Sequence, residues 1–106
     1  MIQKDMEDVQ LKITGAGKGF FEIKDNGQRI AEMVISVAAG ELTVYHTEVV
    51  PEAEGKGLAK KLLAAMVAYA REQGLKVVPL CPYVHAQFAR NPAAYADIWK
   101  RAGEEA

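Results

Sequence analysis

Two glycines one residue apart, Gly55 and Gly57, stand between a strand-like run, ELTVYHTEVV (41–50), and a helix-like run, LAKKLLAAMVAYAREQ (58–73). Such a turn leaves the first N–H groups of the helix unpaired and aimed together at the positive end of its dipole. A phosphate or pyrophosphate is the natural occupant, held by backbone amides from Gly55 to Ala59, with Leu58 between them. Lys56 and Lys60 add positive charge beside the turn. On the strand, His46 and Glu48 are two residues apart, which places them on one face if the strand is regular. Either could remove a proton from an incoming group. The one cysteine, Cys81, ends the run KVVPLC (76–81), at the carboxyl end where ligands bind in parallel α/β units. A free cysteine is commonly a small buried hydrophobe. With a neighbour that lowers its pKa it is a nucleophile. His46 is the expected neighbour, because the two strands are adjacent and both residues lie past their midpoints.

The elements that must hold these groups follow from patterning. Residues 1–8 are polar and expected to be loosely held. Val9, Leu11 and Ile13 alternate as a first strand, and GAGKG (15–19) turns into a second, FFEIKD. GAGKG is not a nucleotide loop, since no Ser or Thr follows Lys18 and the leading glycine position is Lys12. Asn26-Gly27 marks a hairpin, because the favoured two-residue turn requires positive φ at both positions. A third strand spans 29–37, its phase slipping near Glu32 as at a bulge. Ala38-Ala39-Gly40 turns into the fourth strand. Leu58, Ala59, Leu62, Leu63, Met66, Val67 and Ala70 then keep the helical period on one face, and Gly74 caps the helix. Strand, crossover helix and strand predict that the fifth strand lies parallel to the fourth. Pro79 cannot donate to a ladder, so the two strands are expected to splay, leaving a slot for a long thin ligand. Pro82 opens a short helix to about Arg90. Asn91 and Pro92 cap and start another over 93–101, with Trp99 anchoring it on the sheet and His85 exposed.

Composition bounds the rest. At 106 residues the chain forms one domain with its own core. Thirteen basic and fourteen acidic residues, net charge −1, argue against nucleic acid as a partner. A single cysteine excludes an internal disulfide framework and suits a reducing compartment. No apolar run approaches the roughly 20 residues of a membrane span, and the first ten residues are too polar for a signal peptide. The expectation is a cytoplasmic protein, a monomer or weak homodimer, with no membrane partner and no metal.

The sequence resembles the acetyl-CoA site of the GNAT superfamily of N-acetyltransferases. The likeness rests on Gly55-x-Gly57-Leu58-Ala59 after a strand, the long helix, and the proline-bearing fifth strand. More closely, HTEV (46–49), PEAEGKGLAKKL (51–62), VVPLCPYV (77–84) and NPAAYADIW (91–99) are similar to the minimal, NATD-type GNAT-like domains of about a hundred residues, over nearly the whole chain. The resemblance implies an α+β fold: a mostly antiparallel five-stranded sheet with strands four and five parallel and splayed, one long crossover helix and short C-terminal helices. It implies acetyl-CoA as co-substrate and an amine as acceptor. Pantetheine would lie in the gap, bonded to the backbone near Thr47–Val49, with an amide there polarising the thioester carbonyl. Cys81, Asn91 and Tyr95 lie where relatives contact the cofactor. His46 or Glu48 would act as base, or acetyl would pass first to Cys81. Tyr83 or Tyr95 could protonate the departing thiolate. Two departures stand out. Glu52 occupies the position where the superfamily has Gln or Arg, so it should point to solvent. Only 14–18 is available where larger relatives have two helices, so the acceptor groove should be shallow, or completed by another chain.

Three functions remain open on these residues. The first is an N-acetyltransferase, acting directly or through Cys81. The second is a CoA or acyl-CoA-binding module with little transferase activity. The third is an interaction domain that keeps only the fold.

Overall fold

The structure is a computed structural model that describes residues 9–101, so the expectation for residues 1–8 lies outside it. Five strands form one sheet in chain order: β1 (Val9–Ile13), β2 (Lys18–Asp25), β3 (Gln28–Ala38), β4 (Glu41–Val49) and β5 (Lys76–Pro79). The first four pair antiparallel and β5 runs parallel to β4, as expected. Tight turns set the meander. Asn26 and Gly27 hold φ of 53° and 80°, and Ala39 and Gly40 repeat the pattern at 54° and 80°. Asn and Gly tolerate that region, whereas the Cβ of Ala39 makes it strained there.

One face of the sheet carries the core. Phe21, Ile23, Ala31, Met33, Ile35, Leu42, Val44 and Val77 are buried and joined by register across β2 to β5. Helix α1 (Leu58–Gln73) lies on this face, burying Leu58, Leu62, Leu63, Met66, Val67 and Ala70, and Tyr69 meets the Phe21 ring edge-on at 6.0 Å. Its apolar stripe has the helical period, so burying it is what fixes the helix against the sheet. Gly74, with φ 69°, ends α1 in the left-handed conformation. Helices α2 (Pro82–Arg90) and α3 (Pro92–Tyr95) follow β5, with Val84 and Phe88 in the same cluster. Among the described residues no helix packs on the other face, which carries Phe20, Glu22, Glu32, Val34, Ser36, His46 and Glu48.

One expectation is met and one is corrected. The irregularity expected near Glu32 lies in β3 just before it: Ile23 pairs with Ala31 and Lys24 with Arg29, leaving Ile30 as an extra residue. A second shift falls between Val34 and Ile35, where Val34 pairs with His46 and Ile35 with Val44, leaving Tyr45 as an extra residue in β4. The helix expected over 93–101 stops at Tyr95. Tertiary contacts override helix propensity beyond it. Val77 N–H donates to Ile98 O, Lys100 N–H donates to Val77 O, and Trp99 bridges Val77 as an extension of the sheet edge. Arg71 fixes the approach through Asp97 and the Ala94 carbonyl. Trp99 packs its ring against Phe88 and His85, and His85 is otherwise exposed, as expected.

Candidate active site

The extra residue in β4 decides which groups meet. Without it, Leu42, Val44 and His46 would all point into the core, since side chains two apart share a face. With Tyr45 inserted, the inward set becomes Leu42, Val44, Thr47 and Val49, and His46 turns outward with Glu48. The side chains agree. His46 is 49% exposed, with Nε2 3.4 Å from Glu48 Oε1, and the Tyr45 hydroxyl bonds Ser36 on the same outer face at 2.8 Å.

Cys81 sits on the other side. Its thiol is 2% exposed and lies 3.4 Å from Thr47 Oγ1. The expected contact between His46 and Cys81 is therefore corrected: the bulge puts the imidazole on the opposite face, and Thr47 takes its place beside the thiol. His46 and Glu48 do share a face, with His46 at the bulge.

Beyond the bulge, no strand among the described residues lies on the free side of β4. Pairing with β5 ends at Val44 and Pro79, and Cys81 N–H makes the last link, to Val44 O at 2.9 Å. Val50 N–H donates to Ile30 O on the β3 side at 3.0 Å. Backbone groups alternate sides along a strand, so those of Thr47 and Val49 face the open gap. Pro79 occupies the last pair, where its missing N–H costs the ladder nothing further.

The glycine turn opens on the same gap. A one-turn 3-10 helix (Pro51–Ala53) leads from β4, with Glu52 exposed as expected. Gly55 and Gly57 both hold positive φ, 86° and 78°, and Gly57 is the N-cap of α1 with no side-chain bond to the helix. The first intrahelical bond runs from Lys61 N–H to Gly57 O, so no capping side chain competes for the amides of Leu58, Ala59 and Lys60. A cavity of about 410 Å³ lies there, lined by Val49, Ala53, Glu54, Gly55, Gly57, Leu58, Ala59 and Lys60. A Cβ at either glycine would meet nothing within 4 Å, so glycine is needed for its φ. Lys56 and Lys60 are exposed at the rim, with Glu54 as an opposing charge.

Tyr83, on α2, has a buried hydroxyl with no hydrogen-bond partner among the described residues. Burial is the largest cause and pushes its pKa up, outweighing the Arg90 guanidinium, which pulls it down. Its phenol therefore stays protonated near the thiol. Tyr95 stacks on Phe88 at 4.4 Å. Asn91 starts α3, but its side chain makes no cap bond; instead its N–H closes α2 on Gln87 and Phe88.

Three features were missed from sequence. Thr47 was expected to act only through its backbone. The Tyr83 hydroxyl gave no signal that it would lie unpaired. Glu22 is buried at 2% exposure beneath Lys12, Lys24 and Arg29. The signal for it was a carboxylate at the centre of an otherwise apolar strand.

The sequence and the fold match known proteins. The family model described as GCN5-related N-acetyl-transferase matches residues 20–98, and the chain belongs to that family of acyltransferases. Among solved structures, a GCN5-like protein from Staphylococcus aureus is similar at 29% identity and TM-score 0.62, over 93% of this chain and 98% of that one. The ribosomal-protein-alanine N-acetyltransferase of Brucella melitensis biovar Abortus 2308 aligns at 19% identity and TM-score 0.60, covering 86% of this chain and 67% of that one. The ribosomal-protein-S18-alanine N-acetyltransferase of Escherichia coli aligns at 23% and 0.56 over 60% of this chain. This chain spans 42% of that protein, and both enzymes show likeness of fold. No curated protein matches. Among the described residues, no helix is long and apolar enough to cross a membrane.

Proposed function

We propose that the chain transfers acetyl from acetyl-CoA to an amine, by direct attack in the gap between β4 and β5. One observation carries this reading: Val49 lines the cavity at the uncapped N-terminus of α1 and belongs to the stretch of β4 that runs on past its pairing with β5. A diphosphate bound by the amides of Gly55 to Ala59 would leave an extended pantetheine beside the backbone of Val49 and Thr47. These are hydrogen-bonding groups that need a partner. The Thr47 region would then supply an amide to the thioester carbonyl, where negative charge develops.

The proton chemistry divides between the faces. His46, oriented by Glu48, is a solvent-facing base for an ammonium acceptor arriving from the uncovered face. Tyr83, protonated and without a partner, is suited to donate a proton to the leaving thiolate. Asn91 and Tyr95 remain candidate contacts for the cofactor. Cys81 borders the gap, but its neighbour is a threonine hydroxyl, which does not take up the thiol proton. This favours direct attack over passage of acetyl through Cys81.

The alternative, a CoA-binding module with little transferase activity, draws support from the helix-free outer face, which offers an acceptor no wall. Release of free thiol from acetyl-CoA, with and without a panel of polyamines, amino acids and peptides, distinguishes the two. Amine-dependent release with a matching acetylated product supports the transferase, and binding without release supports the module.

A further inference from the structure

Three glutamates stand in one row across the uncovered face. Glu22 of β2 is directly opposite Glu32 of β3, and Glu32 is directly opposite Glu48 of β4. Like charges in that relation repel and destabilise a sheet. The first step of the row is bridged by Arg29, whose Nε donates to Glu22 at 2.9 Å and whose Nη1 donates to Glu32 at 2.7 Å. The second step has no such bridge among the described residues: Glu48 pairs with the His46 imidazole. The bulge at Tyr45 is what brings that imidazole to the carboxylates.

We propose that Glu32, His46 and Glu48 form a binding site for a divalent transition-metal ion of the zinc class. One donor atom from each lies within 4.8 Å of the other two. Donors around tetrahedral zinc sit about 3.5 Å apart, so small side-chain rotations close the set. An imidazole with two carboxylates is a three-ligand zinc set that leaves a position open for water, and the imidazole favours zinc over calcium or magnesium. Glu32 keeps Arg29 on one oxygen, which fixes the carboxylate and frees the other for the ion. Glu48 is 66% exposed, so the ion enters without opening the fold. The site runs against the expectation of no metal, because Glu32 joins the other two only across a strand pair. Metal binding here does not depend on the transferase reading. If that reading holds, the ion occupies the proposed base and reversibly blocks transfer.

The test is calorimetric titration of the full chain with zinc chloride, repeated for Glu32→Gln, His46→Asn and Glu48→Gln, with circular dichroism checking each fold. One equivalent should bind, and each substitution should weaken binding at least tenfold. Absence of saturable binding, or a smaller loss for any folded variant, overturns the site. The unmodified chain gives a second readout from its two histidines. In magnetic resonance spectra zinc must shift the His46 imidazole; a shift at His85 alone overturns the proposal.

Discussion

Thr47 Oγ1 and Cys81 Sγ approach to 3.4 Å just beyond the paired part of β4 and β5, while His46, the residue before Thr47, faces the other side of the sheet. One extra residue, Tyr45, produces this separation. It places the thiol and the imidazole on opposite faces of the sheet, which favours direct attack over a Cys81 intermediate in the proposed transfer.

If attack is direct, Cys81→Ala retains most of its turnover, and rapid quenching with labelled acetyl-CoA finds no acetyl on the wild-type thiol. His46→Asn should lower turnover roughly a hundredfold or more, the scale of a lost general base. Loss of activity in Cys81→Ala, with acetyl trapped on the wild-type protein, would establish the covalent route instead.

Tyr83→Phe should lower kcat on the order of tenfold to a hundredfold and leave KM for acetyl-CoA nearly unchanged, because the hydroxyl has no structural partner to lose. Burial raises this phenol, so the protonated acid persists above the ordinary tyrosine value of about 10. A wild-type alkaline limb that falls well below that pH, and is unchanged in Tyr83→Phe, would remove Tyr83 from the role.

Much of the fold was legible because local signals agreed with it. Asn26-Gly27 fixed a hairpin, the 3.6-residue stripe from Leu58 to Ala70 fixed α1, and Gly55 and Gly57 marked its open end. The bulge at Tyr45 was harder to see. Its trace is that apolar residues fall at even positions, Leu42 and Val44, and then at odd Val49, but His46 and Thr47 fit either face. The last helix failed because Asp97, Ile98 and Trp99 answer to Arg71, Val77 and Phe88, partners distant in sequence. The glutamate row was invisible for a related reason: strand register, which sequence alone leaves open, brings its members together.

Ala39 holds a left-handed φ of 54° in an exposed turn. Ala39→Asn should stabilise the protein by about 0.5–1 kcal/mol. Thermal unfolding reads this as a rise of roughly 3–6 °C. A lower melting temperature would mean that the turn is not strained as described.

The hydrogen bonds from Arg71 hold the Asp97 carboxyl below its ordinary pKa. A depressed carboxylate stabilises the fold above the unfolded value of about 3.9, and that contribution is lost as pH falls through the folded value. Urea midpoints of wild type and Asp97→Asn should therefore differ at neutral pH and converge in acid. A gap that widens on acidification would reverse the assignment. The pair is exposed, so the difference should also shrink in high salt.

The central claim is that main-chain amides from Gly55 to Ala59 hold the diphosphate of coenzyme A. Calorimetric titration with CoA tests it most directly. The account predicts saturable one-to-one binding, weakened at least tenfold in a folded Gly57→Val variant, whose side chain disfavours the φ of 78° that shapes the turn. No binding by the wild type, or undiminished binding by Gly57→Val, would contradict it.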